Sequence, residues 1–222
     1  MVRPPGHHAR RATAMGFCLF NNVAVTAAML ADRGERVAIV DWDVHHGNAT
    51  EEMFQAREEI LYISLHQYPY YPGTGGLVDM TTDRAAATTL DLPVPAGTAG
   101  DLYRLAFAQV IVPVVGGFQP DWLLVSAGYD AHAHDPLAGI RLLASDYAFM
   151  ADALAAVTPP GRTVYYLEGG YDLEAIQASV SATLAGAAGR EVPDEVRRFR
   201  SPDVAFRILD AVTGEAAKVW DI

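Results

Sequence analysis

The sequence predicts an α/β fold built on a mainly parallel sheet, and three observations predict it. Short, nearly continuous apolar runs recur at 36–43 (RVAIVDWD), 60–66 (ILYISLH), 121–130 (DWLLVSAGYD) and 163–170 (TVYYLEGG). They lack the alternation of a half-exposed strand and read as strands covered on both faces. Helix-like stretches lie between or beside them, and strand–helix alternation implies crossover connections and parallel pairing. Polar residues collect at the carboxyl ends of these runs, where open parallel sheets bind their ligands.

Each element has its own signal. NNVAVTAAMLADRG predicts a helix with an asparagine near its start and Gly34 at its C-cap. The strands 36–43 and 60–66 follow. TLDLPVPAG is a further strand candidate whose prolines suit an edge or a short segment. AGDLYRLAFAQVIVPVV predicts a helix that bends or breaks at Pro113. SDYAFMADALAAV and DLEAIQASVSATLAGAAG are cleaner helices flanking the strand 163–170. EVPDEVRRFRSPDVAFRILDAV reads as a charged turn leading into a terminal helix. No repeat, low-complexity stretch or linker divides the chain, so residues 1–222 are expected to form a single domain.

Composition narrows the function. Half of the 222 residues are hydrophobic, enough for a sizeable core, and the net charge of −11 argues against a nucleic-acid partner. Cys18 is the single cysteine, which excludes an intrachain disulfide and points to a reducing, cytoplasmic setting. No signal-peptide pattern and no run of about eighteen apolar residues is seen, so no membrane span is expected.

The stretch DWDVHHGN directly follows the first strand and places two acids and two histidines within six residues. Such a cluster is costly unless something pairs with it. On an extended chain, residues two apart face the same way, so Asp43 and His45 can point at one ion, with Asp130 arriving from another strand. Two carboxylates and one imidazole leave a position open, as catalytic zinc sites do. His7 and His8 (RPPGHH) supply groups that titrate in the range needed to deprotonate a water and protonate a leaving amine. Asp41 and Asn48 are available to hold their rings.

RPPGHH, GFCLFNN, VDWDVHHGN, YISLHQYPYYPGTG, VSAGYDAHAHDPLAG and LEGGYDL occur in this order over roughly residues 3–175. Together they resemble the zinc-dependent histone deacetylase family, which includes bacterial acetoin-utilisation proteins and acetylpolyamine amidohydrolases. The resemblance implies the arginase–deacetylase fold, a three-layer α/β sandwich. It implies one zinc ion on Asp43, His45 and Asp130, with His7 backed by Asp41 and His8 backed by Asn48 as the tandem histidines. His8 would be the main general base and acid, and His7 would act chiefly through its charge. Tyr171, beside Gly169 and Gly170, would donate to the oxyanion. Phe17 and Tyr71 would wall an acyl-lysine tunnel with Gly16 at its mouth. Asp41 and Ser64 would share a structural potassium ion. Tyr71 stands where many relatives carry phenylalanine, and Ala49 where glycine is common.

The implied activity is removal of an acetyl or short acyl group from a lysine side chain, a polyamine or another small amine. Two alternatives stay open. His132 and His134 (DAHAHD) resemble ligands of a second metal, as in two-manganese ureohydrolases of the same fold. Relatives also carry a segment ahead of RPPGHH, so a shortened, impaired fragment that exposes an apolar sheet edge or helix face and self-associates is the other. Cys18 is expected to be a buried small hydrophobe, and His66 a satisfied histidine at a strand end.

Overall fold

The computed structural model describes residues 4–77, 88–195 and 199–222. Arg3 of the first motif and 196–198 of the charged turn lie outside the described residues. Five strands, β1 (Val37–Asp41), β2 (Ile60–Gln67), β3 (Thr89–Val94), β4 (Trp122–Ala127) and β5 (Thr163–Leu167), form one sheet in the order β3-β2-β1-β4-β5. All four pairings are parallel. The proline-bearing strand is indeed at an edge, where Pro93 interrupts only one row of ladder bonds.

Helices cover both faces, which explains why the strands read as unbroken apolar runs. On one face, Val23, Ala27 and Leu30 of α1 (Asn22–Ala31) and Phe54 of α2 (Asn48–Phe54) pack on Val37, Ile39, Ile60 and Tyr62. Ala38, Val40, Leu61 and Val125 point to the opposite face. There they meet α3 (Gly100–Ala106), α4 (Val112–Phe118), α5 (Ala144–Ala155) and α7 (Asp203–Ala216), while α6 (Leu173–Ala187) packs along α5. Each fully buried Val, Leu or Ile contributes about 1.5–3 kcal/mol relative to exposure. Asn21 caps α1, its side chain accepting from Ala24 N–H at 3.0 Å.

The helical run expected to bend or break at Pro113 continues through it but changes type just before it. A π-helical segment (Phe107–Ile111) widens the preceding turn, and α4 restarts at Val112. Pro113 therefore falls in a first turn, where a missing N–H costs little. By length and composition the stretch Gly100–Phe118 is apolar enough to cross a membrane. Its buried residues, among them Leu102, Phe107 and Val114, belong to the core against the sheet.

Strand order places the site. From β1 the chain moves outward through β2 to β3, then returns to the other side of β1 for β4 and β5. The connections leaving β1 and β4 thus diverge at their carboxyl ends and open a crevice between them. Asp41 ends β1, and Asp130 follows β4 by three residues.

Candidate active site

The loop after β1 carries Asp43 and His45. β1 ends at Asp41, so the strand alternation invoked for these two residues does not apply to them. Hydrogen bonds gather them instead: His45 N–H donates to Asp43 Oδ1 at 2.9 Å, and His45 Nδ1 lies 3.0 Å from the same oxygen. Val44 N–H donates to Asp130 Oδ1 at 2.9 Å, fixing the third residue from the β4 side. His45 Nδ1 is 3.1 Å from Asp130 Oδ2, yet that buried oxygen has no hydrogen-bond partner among the described residues. The contact is a close charge approach at an angle that makes no hydrogen bond.

A divalent cation fits this set. One ligand atom from each of Asp43, His45 and Asp130 lies within 4.8 Å of the others. Asp130 is pushed up to about 7 by burial and by the Asp43 carboxylate. Burial alone would lower His45, but the Asp130 and Asp43 carboxylates against its ring outweigh it and raise it to about 11. Two buried carboxylates thus crowd one imidazole where a cation would serve both. Glycine is required beside them: a Cβ on Gly169 would sit 2.1 Å from Asp130 Oδ2, and Gly169 N–H donates to Asp43 Oδ2 at 2.7 Å.

The tandem histidines stand alongside, their ring centroids 4.0 Å apart. His7 Nδ1 pairs with Asp41 Oδ2 at 2.9 Å, and His8 Nδ1 with Asn48 Oδ1 at 2.8 Å. Burial disfavours a charge on His7, but Asp41 and Asp43 overcome it and raise its pKa to about 10. His8 has no carboxylate partner, so burial and the neighbouring His7 charge lower it to about 3. One ring is held as a cation and the other neutral. Because an amide oxygen only accepts, the His8 proton sits on Nδ1 and Nε2 is the basic nitrogen.

These groups line a cavity of about 330 Å³ together with Gly16, Phe17, Tyr71, Gly169 and Tyr171. Tyr71 meets His8 edge-on at 5.1 Å. Gly16 (φ +56°) lies against the His8 ring, where a Cβ would fall 2.2 Å from Cδ2. Phe17 also has a left-handed backbone (φ 63°), a strained state for an aromatic residue, and is 77% exposed at the rim. Gly170 lies between Gly169 and Tyr171, whose N–H donates to Asp135 Oδ2 at 2.7 Å. Asp41 and Ser64 are register partners on β1 and β2. Their side chains are engaged, Ser64 Oγ with His66 Nδ1 and Asp41 with His7 and Asp43 N–H.

A model of the histone deacetylase domain matches residues 1–187. The chain belongs to the histone deacetylase family. The chain is 42% identical to histone deacetylase 10, chloroplastic, of Oryza sativa subsp. japonica, over 93% of its own length and 47% of that protein. It is 43% identical to a probable deacetylase of Archaeoglobus fulgidus, over 78% of its length and 50% of that protein. The crystal structure of the HDA15 HD domain superposes with a TM-score of 0.89 at 36% identity, covering 99% of this chain and 61% of that one. The fold is therefore the arginase–deacetylase sandwich, and the chain spans about half the length of the curated relatives it matches.

In this deacetylase-family site, two groups escape the sequence reading. Glu168 is buried and accepts from Gly6 N–H (2.5 Å), His7 N–H (3.2 Å) and Ser126 Oγ (3.1 Å), tying the histidine segment to β4 and the end of β5. Its sequence signal is the acid inside LEGGYD, which nothing local distinguishes from the neighbouring glycines and tyrosine. Tyr70 stacks on His45 with centroids 5.3 Å apart and donates to Leu137 O. His132 and His134 join no ligand cluster among the described residues, and His132 Nδ1 accepts from His134 N–H at 3.1 Å. That removes the geometric basis for a second metal at those positions. Cys18 is buried, and burial pushes its thiol up to about 12, away from nucleophile chemistry.

Proposed function

We propose that the chain forms a zinc-dependent amidohydrolase site that removes an acetyl or short acyl group from an amine: a lysine side chain, a polyamine or another small amine. The observation that carries this reading is the pairing of a cation-demanding Asp43–His45–Asp130 cluster with a histidine whose basic nitrogen is fixed beside it. Asp43, His45 and Asp130 would hold zinc, which when bound supplies a Lewis acid that polarises the acyl carbonyl and acidifies a water.

The rest is done by the chain. Phe17 and Tyr71 flank the entering acyl group, with Tyr71 packed on His8 so that the aromatic wall also fixes the base. His8 takes the proton of the attacking water at Nε2 and returns it to the amine nitrogen as the C–N bond breaks, leaving an acid and a free amine. Asn48 keeps the correct His8 tautomer throughout. His7, charged and bound to Asp41, stabilises negative charge building on the reacting carbon's oxygens, and the Tyr171 hydroxyl donates to the same charge. A potassium ion beside Asp41 and Ser64 belongs to the same reading and carries no step.

Zinc-loaded protein screened on acetyl-lysine peptides, acetylated polyamines and small acylamides tests it. Hydrolysis of at least one class, lost on chelation, is expected. No turnover on any class with stoichiometric zinc bound would sink it.

A further inference from the structure

We propose that His46, His66, Asp91 and Glu51 form a second, closed divalent-cation site on the opposite side of the β1 loop from the cavity residues. His46 follows His45 in that loop, His66 lies near the end of β2, Asp91 is on β3 and Glu51 is in α2. All four are buried. One ligand atom from each of His46, His66 and Asp91 lies within 4.8 Å of the others. His46 Nε2 is 2.8 Å from Glu51 Oε2 and 3.4 Å from Asp91 Oδ1.

An independent observation points to a ligand. Both Asp91 carboxylate oxygens are buried with no hydrogen-bond partner among the described residues, and so is His46 Nε2 by the same geometric standard. A buried carboxylate without donors is a costly arrangement unless a cation neutralises it. A proton on His46 answers only part of this demand. It would sit 2.8 Å from Glu51 Oε2 and 3.4 Å from one Asp91 oxygen, aligned for a hydrogen bond with neither, and leaves the other Asp91 oxygen with nothing.

The imidazoles are prepared as metal ligands are. His66 Nε2 donates to Gly75 O at 2.9 Å, which puts the lone pair on Nδ1, where the Ser64 hydroxyl at 2.9 Å can rotate aside. His46 Nδ1 pairs with Thr74 Oγ1 at 2.8 Å, leaving Nε2 facing the carboxylates. Metal-binding histidines characteristically spend their other nitrogen on such a partner. Two imidazoles and two carboxylates make a mixed nitrogen–oxygen set with no open position. That suits zinc or a similar first-row cation in a structural role, and does not suit magnesium or calcium, which take oxygen ligands. The partners Thr74 and Gly75 lie in the loop that carries Tyr71. A Cβ on Gly75 would fall 2.6 Å from His66 Nε2 and 2.7 Å from His46 Cγ, so this loop rests directly on both rings. The ion would anchor the cavity's aromatic wall without touching substrate.

The test counts metal on the full chain, stripped by chelation and reloaded with Zn²⁺ alone, by elemental analysis after gel filtration. The unmodified chain should retain about two equivalents, and Asp91→Asn, Asp130→Ala and His66→Gln about one each. Asp91→Asn keeps the side-chain shape, and circular dichroism checks that each variant is folded. Full retention of two equivalents by folded Asp91→Asn and His66→Gln overturns the site. So does a single equivalent in the unmodified chain that Asp130→Ala abolishes. An equivalent that survives Asp130→Ala and disappears in Asp91→Asn supports it even in a chain that hydrolyses nothing, so the two readings fail separately.

Discussion

Glu168→Ala is the perturbation that best isolates how the histidine pair is held. Glu168 touches none of the three candidate metal ligands by hydrogen bond, yet it accepts from Gly6 N–H, His7 N–H and Ser126 Oγ. The serine hydroxyl can turn to another acceptor, but the two backbone donors cannot. Leaving each buried N–H unsatisfied costs about 1–3 kcal/mol, and water entering the vacated space returns part of it, so about 2–3 kcal/mol is a reasonable net loss. This loss falls on a segment held otherwise by few long-range bonds, among them Thr50 N–H to His7 O at 3.3 Å. If the pair docks less favourably by that free energy, the docked-to-undocked ratio drops by about 30–150-fold, which is the largest loss of competent population it can cause. The ceiling is the whole contribution of a general base, about 10²–10⁴-fold. The assay is single-substrate turnover alongside zinc content and thermal unfolding, with Glu168→Gln as the volume-preserving companion. Turnover should fall at least about tenfold for Ala, and less for Gln, while zinc content stays level. Turnover unchanged in both folded variants would refute the idea that Glu168 positions the pair.

Asp130→Ala should weaken zinc binding and abolish zinc-dependent hydrolysis, because it removes one of the three proposed ligands; full zinc affinity in a dialysis titration would overturn the ligand assignment. Tyr171→Phe should keep substrate binding and lower kcat by about a hundredfold or more, as loss of an oxyanion donor does. Gly169→Ala adds a methyl 2.1 Å from Asp130 Oδ2, so zinc affinity should fall by about 10–100-fold, measured by competition with a chromogenic chelator. Phe17→Gly relieves a left-handed aromatic that buries little. Its stability, read by thermal unfolding, should hold or rise by about 1 kcal/mol at most, while KM increases.

The layers of the fold were legible because burial on both faces leaves an unmistakable mark. Val37 and Ile39 face one helix layer while Ala38 and Val40 face the other, so both parities stay apolar until Asp41 ends the strand. Strand ends were less legible. Asp43 and His45 continue the apolar β1 run in sequence, but pairing stops at Asp41, and side-chain hydrogen bonds take over where the ladder ends. Pro113 shows a related limit: a local rule about one missing N–H cannot foresee that a π-helical turn upstream will shift the bonding register. Large exposed apolar side chains include Leu19, Phe20, Val25 and Met29, on and beside α1.

The site residues divide by how far apart the chain carries them. Asp41, Asp43, His45 and Asn48 could be read together because one short stretch, from the end of β1 to the start of α2, holds them all. Glu168 could not, since its role exists only when residues 162 positions apart meet, Gly6 at one end of the bond and Glu168 at the other. His66 shows the same limit more sharply. Read alone it is a strand-end histidine with both nitrogens satisfied, by Ser64 and Gly75. What changes its meaning is Asp91, which parallel register sets across from Ser64, on the strand beside β2. Side chains two apart on β2 share a face, so Ser64 and His66 both look toward the region that Asp91 enters. His46 closes the group from the β1 loop, directed away from its neighbour His45, which serves the cavity. One pair of adjacent histidines thus feeds two separate buried clusters, and only the turn of the chain between them decides which residue goes to which.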